Sequence, residues 1–397
     1  MIAVAEARKL IIEHCNPLPT ASLPLGRATG LTLAENIFAT HDFPPFQQAA
    51  MDGYAFSFAA WKSGPLHVSG TVQAGASQMP DLLPQQATRI FTGAPVPNGL
   101  DTVVMQEKVD VQNGILYIND DGLAPGINVR KQGAEIEKGD LALGTGTVLS
   151  AGAIGFLAGL GTTTVAAFPQ PRVAILVTGK ELQTPGKPLR FGQVYESNGA
   201  ALTAALAQCG ITTVTTTQVD DDPGLLAKEI DNALQNADLL LLTGGVSVGD
   251  YDFVAKALAT CGVQTIFHKV RQRPGKPLLF GKKEETVVFG LPGNPSSVLT
   301  CFFEYVLPAI EQLMQLKSPF ITTITLPMLA DYEKNGRLTV FLKATHTHGG
   351  VLPLGAQESF KMRSFAVANC LIVVDESSTG YKKGDMAEVH LLHRFTG

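Results

Sequence analysis

Leu239-Leu240-Leu241-Leu242 runs directly into Thr243-Gly244-Gly245-Val246-Ser247-Val248-Gly249-Asp250-Tyr251-Asp252. Four apolar residues with no polar break describe a strand buried on both faces. The glycine turn that follows stands where such a strand would end. The same texture recurs on either side. Residues 173–177 are fully apolar and stop at Thr178-Gly179-Lys180-Glu181. A helix is expected over Asn198–Gln208, ended by Gly210, then a strand over 212–219, Asp220-Asp221-Asp222, and a helix over Pro223–Asn236. A helix after Asp252, a strand over 263–269, a hairpin around Gly281-Lys282-Lys283 and a helix from Pro295 complete the run. Apolar strands alternating with helices predict a doubly wound α/β domain over 169–316, its parallel sheet covered on both faces.

Outside this region the pattern changes. Residues 2–15 predict an amphipathic helix, with Ile2, Ala5, Leu10 and Ile11 among its apolar positions. Residues 41–133 read as short strands separated by Gly, Pro and Asn. Among them, Val109-Asp110-Val111-Gln112-Asn113-Gly114-Ile115-Leu116-Tyr117 alternates about Asn-Gly, a hairpin signal. Residues 141–171 carry no charge, but glycine, threonine and proline break them before any membrane-length apolar run forms; 150–160 predict a buried helix of small residues. From 317 onward, 322–326, 337–344, 365–374 and 387–392 read as strands with no helix among them. That tail predicts a separate small β-barrel or sandwich.

Composition bounds the function. The chain has 397 residues, 30 basic and 35 acidic side chains and a net charge of −5, with 45% hydrophobic and 16% charged residues. Such a chain has apolar surface enough to fold, in about two to four domains. The slight acidity argues against nucleic acid as a partner, so any bound anion must meet a local cluster of cations. Five cysteines without CxxC spacing suggest a reducing compartment. Glu6, Arg8, Lys9 and Glu13 exclude a signal-peptide core in the first stretch, and a cytoplasmic location is expected, with no membrane partner.

The chemistry gathers at four presumed strand ends: 178–181, 220–223, 243–252 and 269–276. Ligands of open α/β sheets bind outside the carboxyl ends of the strands. Gly244 and Gly245, and the turn Gly293-Asn294-Pro295-Ser296-Ser297, let backbone N–H groups face an anion. Lys269, Arg273 and Lys276, with Arg271, place four positive charges in eight residues, a clustering that an anion would relieve. Glu181, Asp221 and Asp252 on neighbouring loops would repel one another without a hard cation such as Mg2+ between them. Each loop taken alone also reads as ordinary turn or helix-cap chemistry. A rival reading takes Gly245-Val246-Ser247-Val248-Gly249 as a hydrolase nucleophile elbow, with Asp252 and one of His268, His346 or His348 completing a triad. The basic Pro-Gly-Lys-Pro loop has no task in an esterase, which favours phosphate chemistry.

Five segments together carry a family resemblance. They are Ala50-Met51-Asp52-Gly53-Tyr54-Ala55, Thr92-Gly93-Ala94-Pro95-Val96-Pro97, residues 243–252, Arg273-Pro274-Gly275-Lys276-Pro277 and Gly290-Leu291-Pro292-Gly293-Asn294-Pro295. In this order they resemble the MoeA family of molybdenum-insertion enzymes, and the chain is similar also to the gephyrin C-terminal domain. The resemblance implies a multidomain α/β plus β protein. Its central α/β domain would be pterin-binding-like, beside an elongated discontinuous domain (1–40 and 134–168), a β-rich domain (41–133) and a C-terminal barrel (317–397). It implies a molybdopterin molybdenumtransferase, with adenylylated molybdopterin and molybdate as substrates, Mg2+ as cofactor and AMP as product. Implied catalytic residues are Asp52, Thr92, Glu181, Asp221 and Asp252, with Glu181, Asp221 and Asp252 on the metal. Implied substrate contacts are Gly244, Gly245, Ser247, Lys269, Arg273, Lys276, Gly293, Asn294, Ser296 and Arg337. Implied partners are a second copy of the chain and other molybdenum cofactor synthesis proteins. Lys180, Glu135, Thr243 and the pair Glu358-Ser359 depart from the family's usual residues. An adenylyltransferase-like enzyme, a hydrolase using Ser247 and a binding scaffold are the other readings weighed.

Overall fold

The apolar run becomes strand Leu239–Thr243, every residue of it buried, inside a six-stranded sheet. The computed structural model describes residues 1–220, 222–245, 253–317 and 321–392. They form two units, one of residues 1–22, 30–34 and 166 onward, the other of residues 23–29 and 35–165. In the first unit the α/β elements are β1 (Val173–Thr178), α1 (Asn198–Gln208), β2 (Val214–Val219), α2 (Pro223–Asn236), β3 (Leu239–Thr243), α3 (Phe253–Thr260), β4 (Gln264–His268), β5 (Leu279–Lys283), β6 (Thr286–Leu291) and α4 (Pro295–Cys301). The sheet order is β2-β1-β3-β6-β5-β4.

Burial on both faces explains why the strands lack alternation. Ala174, Leu176, Leu240 and Leu242 share one core with Leu226 and Ile230 of α2 and Val254 and Leu258 of α3. On the other face α1 crosses so close that a Cβ on Gly199 would stand 3.1 Å from Val177 Cγ2.

The sheet is not wholly parallel, as its apolar strands suggested. β5 runs antiparallel to both β4 and β6. The reason is the turn, which lies at Glu284-Glu285 rather than at Gly281-Lys282-Lys283; two residues can join antiparallel strands but not parallel ones. Gly281 sits within β5, where a Cβ would come 2.8 Å from the Gln264 carbonyl oxygen. Its glycine serves close strand approach beside a register shift, not a turn.

After α4 the chain continues as a π-helical turn Phe302–Val306 and a helix Leu307–Leu313. In the tail, strands Thr323–Pro327, Thr339–Thr347, Gly350–Pro353, Cys370–Val374 and Met386–Leu391 close on themselves. The closure passes through a Met328–Val351 bridge, with Leu342, Ala344, Ile372 and Val389 in the core. One expectation fails here: Met362–Val367 is a helix, and the strand starts at Cys370. Tertiary packing overrides strand propensity, because Phe365 stacks on Phe303 with ring centroids 6.1 Å apart.

The second unit holds the sheet of Thr102–Met105, Gly53–Phe56, Gln86–Ile90, Leu66–Val72, Ile115–Ile118 and Val109–Gln112. The Asn-Gly hairpin forms as expected, with φ of 52° at Asn113 and 76° at Gly114. Helix Ala151–Gly159 is capped by Ser150, whose Oγ accepts from the Ala153 amide at 3.2 Å. It is not a buried helix. Leu157 alone of its residues is buried, while Ala151, Gly152, Gly155, Ala158 and Gly159 are exposed along one flank. No described helix is long and apolar enough to cross a membrane.

Candidate functional site

A cleft of about 900 Å³ opens in the first unit at the carboxyl ends of the α/β strands. Glu181 follows β1, Gly245 follows β3 and Gly293-Asn294 follows β6. Arg273 and Lys276 come from the loop before β5, and residues 357–360 from the barrel form a further wall. Of the implied catalytic and substrate-contact residues, six among those described line this cavity: Glu181, Gly245, Arg273, Lys276, Gly293 and Asn294.

The cationic loop is fixed from beneath. Gln272 is fully buried, and its Nε2 donates to the carbonyls of Pro274 at 3.0 Å and Gly275 at 3.2 Å. Its Oε1 accepts from the buried Tyr305 hydroxyl, supplied by the π-helical turn. Gly275 has φ of 86°, and a Cβ there would lie 2.5 Å from Cys301 Sγ. The Arg273–Pro274 peptide is cis. Arg273 and Lys276 are thus exposed side chains on a backbone anchored to the core. The other two cations do not join them. Arg271 is in an ion pair with Glu376, Nε to Oε2 at 3.2 Å, and Lys269 lies outside the lining with φ of 80°. The four charges in sequence are two in the cleft, because Glu376 holds Arg271 and the backbone turns at Lys269.

The glycines divide in function. A Cβ on Gly244 would stand 2.3 Å from the Thr178 carbonyl at the end of β1, and one on Gly245 2.9 Å from Val254 of α3, so close packing already requires both. Gly293 is open, its nearest neighbour being the Gly244 Cα at 3.9 Å. Asn198, which the sequence reading passed over, bridges two strand ends: its Nδ2 donates to the Gly293 carbonyl at 2.9 Å and lies 3.5 Å from Thr243 Oγ1. Asn294 Nδ2 donates to Ser359 Oγ at 2.8 Å, and the Ser296 amide to the Ser359 carbonyl at 3.0 Å. Ser296 itself is fully buried, and Ser297 lines the cleft in its place. Arg337 is exposed beside the lining residue Leu338.

Among the described residues three carboxylates line the cleft: Glu181, Glu196 and Glu358. Glu196 accepts from the Gly199 amide at 2.7 Å. Glu358 pairs with Lys361 at 2.8 Å, a hydrogen bond that holds its carboxyl below the usual range. Glu181 has no such partner among the described residues, so it fits a hard cation, and magnesium asks for one or two carboxylates beside substrate phosphates. Asp221, Ser247 and Asp252 lie outside the described residues, as does the question of a three-carboxylate set; no cluster of three metal-binding side chains occurs among the described ones. Asp222 is a helix cap, accepting from the Gly224 and Leu225 amides at 2.9 Å. Among the described residues no histidine lines the cleft.

In the second unit Asp52 and Thr92 meet directly. The Thr92 amide and hydroxyl each donate to Asp52 Oδ1 at 2.7 Å and hold that carboxyl below its usual range. Glu135 lines a separate cavity of about 510 Å³ with Arg130, Phe43 and Gln48.

Three family patterns match the chain: the MoeA N-terminal region (domains I and II) over residues 2–161, a probable molybdopterin binding domain over 174–312, and the MoeA C-terminal region (domain IV) over 325–392. The molybdopterin molybdenumtransferase of Staphylococcus aureus is 32% identical, over 98% of this chain and 95% of its own length. That of Staphylococcus epidermidis is 33% identical with the same coverage. Two crystal structures of a molybdopterin biosynthesis MoeA protein from Pyrococcus horikoshii superpose with TM-scores of 0.83 and 0.80. They are 28% and 26% identical and cover 100% and 98% of this chain and all of their own.

Proposed function

The chain belongs to the MoeA family and serves molybdenum cofactor biosynthesis, and from that premise we propose that it inserts molybdate into adenylylated molybdopterin and releases AMP. The observation that carries this reading is the pairing, in one strand-end cleft, of two anchored cations with a carboxylate that has no side-chain partner among the described residues. Arg273 and Lys276 bind phosphate oxygens, and because Gln272 pins their backbone they are in place before substrate arrives. Glu181 would hold Mg2+, together with Asp221 and Asp252. Bound there, the ion supplies positive charge to the phosphoanhydride. A water attacks the phosphoanhydride and supplies the oxygen of the new phosphate end as AMP leaves, and molybdate bonds to the molybdopterin sulfurs with one of its oxygens departing as water, which carries away the thiol protons. Gly293 leaves room for a phosphate against the backbone, and Asn198 fixes the carbonyl beneath it.

Mixing the protein with adenylylated molybdopterin, magnesium and molybdate should release AMP, dependent on both added ions. No release under these conditions defeats the reading. In the same assay Lys276→Ala should weaken substrate binding by about 1–3 kcal/mol, the loss of one charge-assisted contact. Unaltered affinity would reduce the loop to a structural turn.

A homodimer is part of this proposal. In the second unit Phe38 and Leu141 are paired across strands yet 54% and 52% exposed, and the open flank of helix Ala151–Gly159 is lined by small residues. An apolar surface of this kind suits a second copy of the chain. Sedimentation at micromolar concentration should give a species twice the 42.0 kDa mass, and Leu141→Asp should shift it to monomer. A parental protein that sediments as monomer excludes the dimer.

A further inference from the structure

The barrel's contribution to the cleft, residues 357–360, is held from behind by a buried cation. Lys343, on strand Thr339–Thr347, is 2% exposed. Its ammonium donates to the carbonyls of Ala356 at 2.9 Å, Lys361 at 3.0 Å and Glu358 at 3.4 Å. An ammonium has three N–H donors and no acceptor, so three converging carbonyls use it fully. Burial lowers its pKa from the ordinary lysine value, against the pull of the Glu358 charge. A buried apolar side chain would avoid that desolvation, so the charge is not there for core stability.

The surrounding contacts all concern the same loop. The Lys343 amide donates to Gln357 Oε1 at 3.0 Å, and Gln357 Nε2 donates back to the Lys343 carbonyl at 2.8 Å. Ser364 Oγ donates to the Ala356 carbonyl at 2.8 Å. On its far side the loop presents Glu358, Ser359 and Phe360 to the cleft, and Ser359 joins Asn294 and Ser296. Phe360 stays 63% exposed there, an apolar ring with no core to enter.

We propose that Lys343 is a positioning residue for substrate binding: without touching the ligand, it fixes Ser359 and Phe360 as the wall that receives a planar heterocycle bearing phosphate. The inference rests on the reading of the cleft given above. Three donors on one side and the Asn294 contact on the other leave the loop a single placement. Phe360 then meets a heterocycle face at a fixed distance from Arg273 and Lys276 instead of sampling solvent.

The test uses the full-length protein and two variants. Lys343→Met keeps length and apolar volume but removes all three donors. Ser364→Ala removes one donor from the same carbonyls and leaves no buried charge unpaired. KM for adenylylated molybdopterin should rise on the order of ten-fold in Lys343→Met and less in Ser364→Ala, with kcat within about three-fold of the parent in both. Exchange of the Ser296 amide hydrogen, which bonds the Ser359 carbonyl, should accelerate in the same order. If Lys343→Met does not fold, Ser364→Ala alone decides by the same two readouts. An unchanged KM in a folded variant, or a loss confined to kcat, overturns the proposal. A parental protein that releases no AMP overturns the functional reading instead, whereas unaltered Ser296 exchange in the variants overturns the role of Lys343 whatever the reaction.

Discussion

Glu304→Gln is expected to destabilise the protein by roughly 3–5 kcal/mol, the range for removing one partner of a buried ion pair. Glu304 is 1% exposed, on the π-helical turn that also supplies Tyr305. Its carboxylate accepts from Arg8 of the N-terminal helix, and from His390 Nδ1 of the last barrel strand at 2.9 and 3.1 Å. His390 Nε2 reaches Glu388 at 3.1 Å. Glutamine fills the same space but leaves two cationic groups facing an amide. Burial alone would lower the His390 pKa. The Glu304 hydrogen bond and charge outweigh it, and the net shift is upward from 6.5. A raised histidine contributes stability that is complete below about 6.5 and is lost as pH rises through the folded-state value. The gap between parent and variant in urea unfolding should therefore be widest near pH 6 and narrow towards alkaline pH. Equal midpoints, or a gap that does not change with pH, would refute the role of this triad.

Gly275→Ala should lose about 2–5 kcal/mol and, with it, the substrate affinity of the cationic loop. A non-glycine residue at a φ of 86° is strained by about 1–2 kcal/mol, and overpacking adds about 1–3. The added methyl would stand 2.5 Å from Cys301 Sγ and 2.9 Å from Gln272 Nε2, displacing the amide that holds the loop carbonyls. Gly30 separates strain from crowding, for its φ is 79° and nothing lies within 4 Å of its missing Cβ. Gly30→Ala should lose no more than about 1–2 kcal/mol and leave AMP release unaltered. Melting temperatures and KM values measured side by side decide it. A Gly275→Ala protein as mild as Gly30→Ala in both would mean that the loop has room the structure does not show.

The local signals that survived folding are those whose physics is complete within a few residues. Buried apolar runs such as Leu239–Leu242 specify strands covered on both faces, and the strand-end rule then places Glu181, Gly245, Arg273, Lys276, Gly293 and Asn294 around one cleft. Asn113-Gly114 closes its hairpin because both residues tolerate positive φ. Asp222 caps its helix, as an aspartate just before Pro223 can do unaided.

What failed, or was missed, depended on partners distant in the chain. Glu304 reads as one charge in an apolar helix until Arg8 and His390 converge on it from 296 and 86 residues away. Lys343 looks like a surface lysine in an alternating strand until the 356–361 turn folds over it. Phe365 looks like strand until Phe303 stacks on it. The sequence by itself determined the strand and helix alphabet, the α/β class and the ends of strands where anions would be met, since backbone sterics and burial periodicity act locally. Tertiary structure alone decided which of four clustered cations face the cleft, which glycines are packing and which are open, and how the barrel supplies a wall. Each of those rests on where a second segment lies, and burial and hydrogen-bond pairing fix that for the whole chain at once.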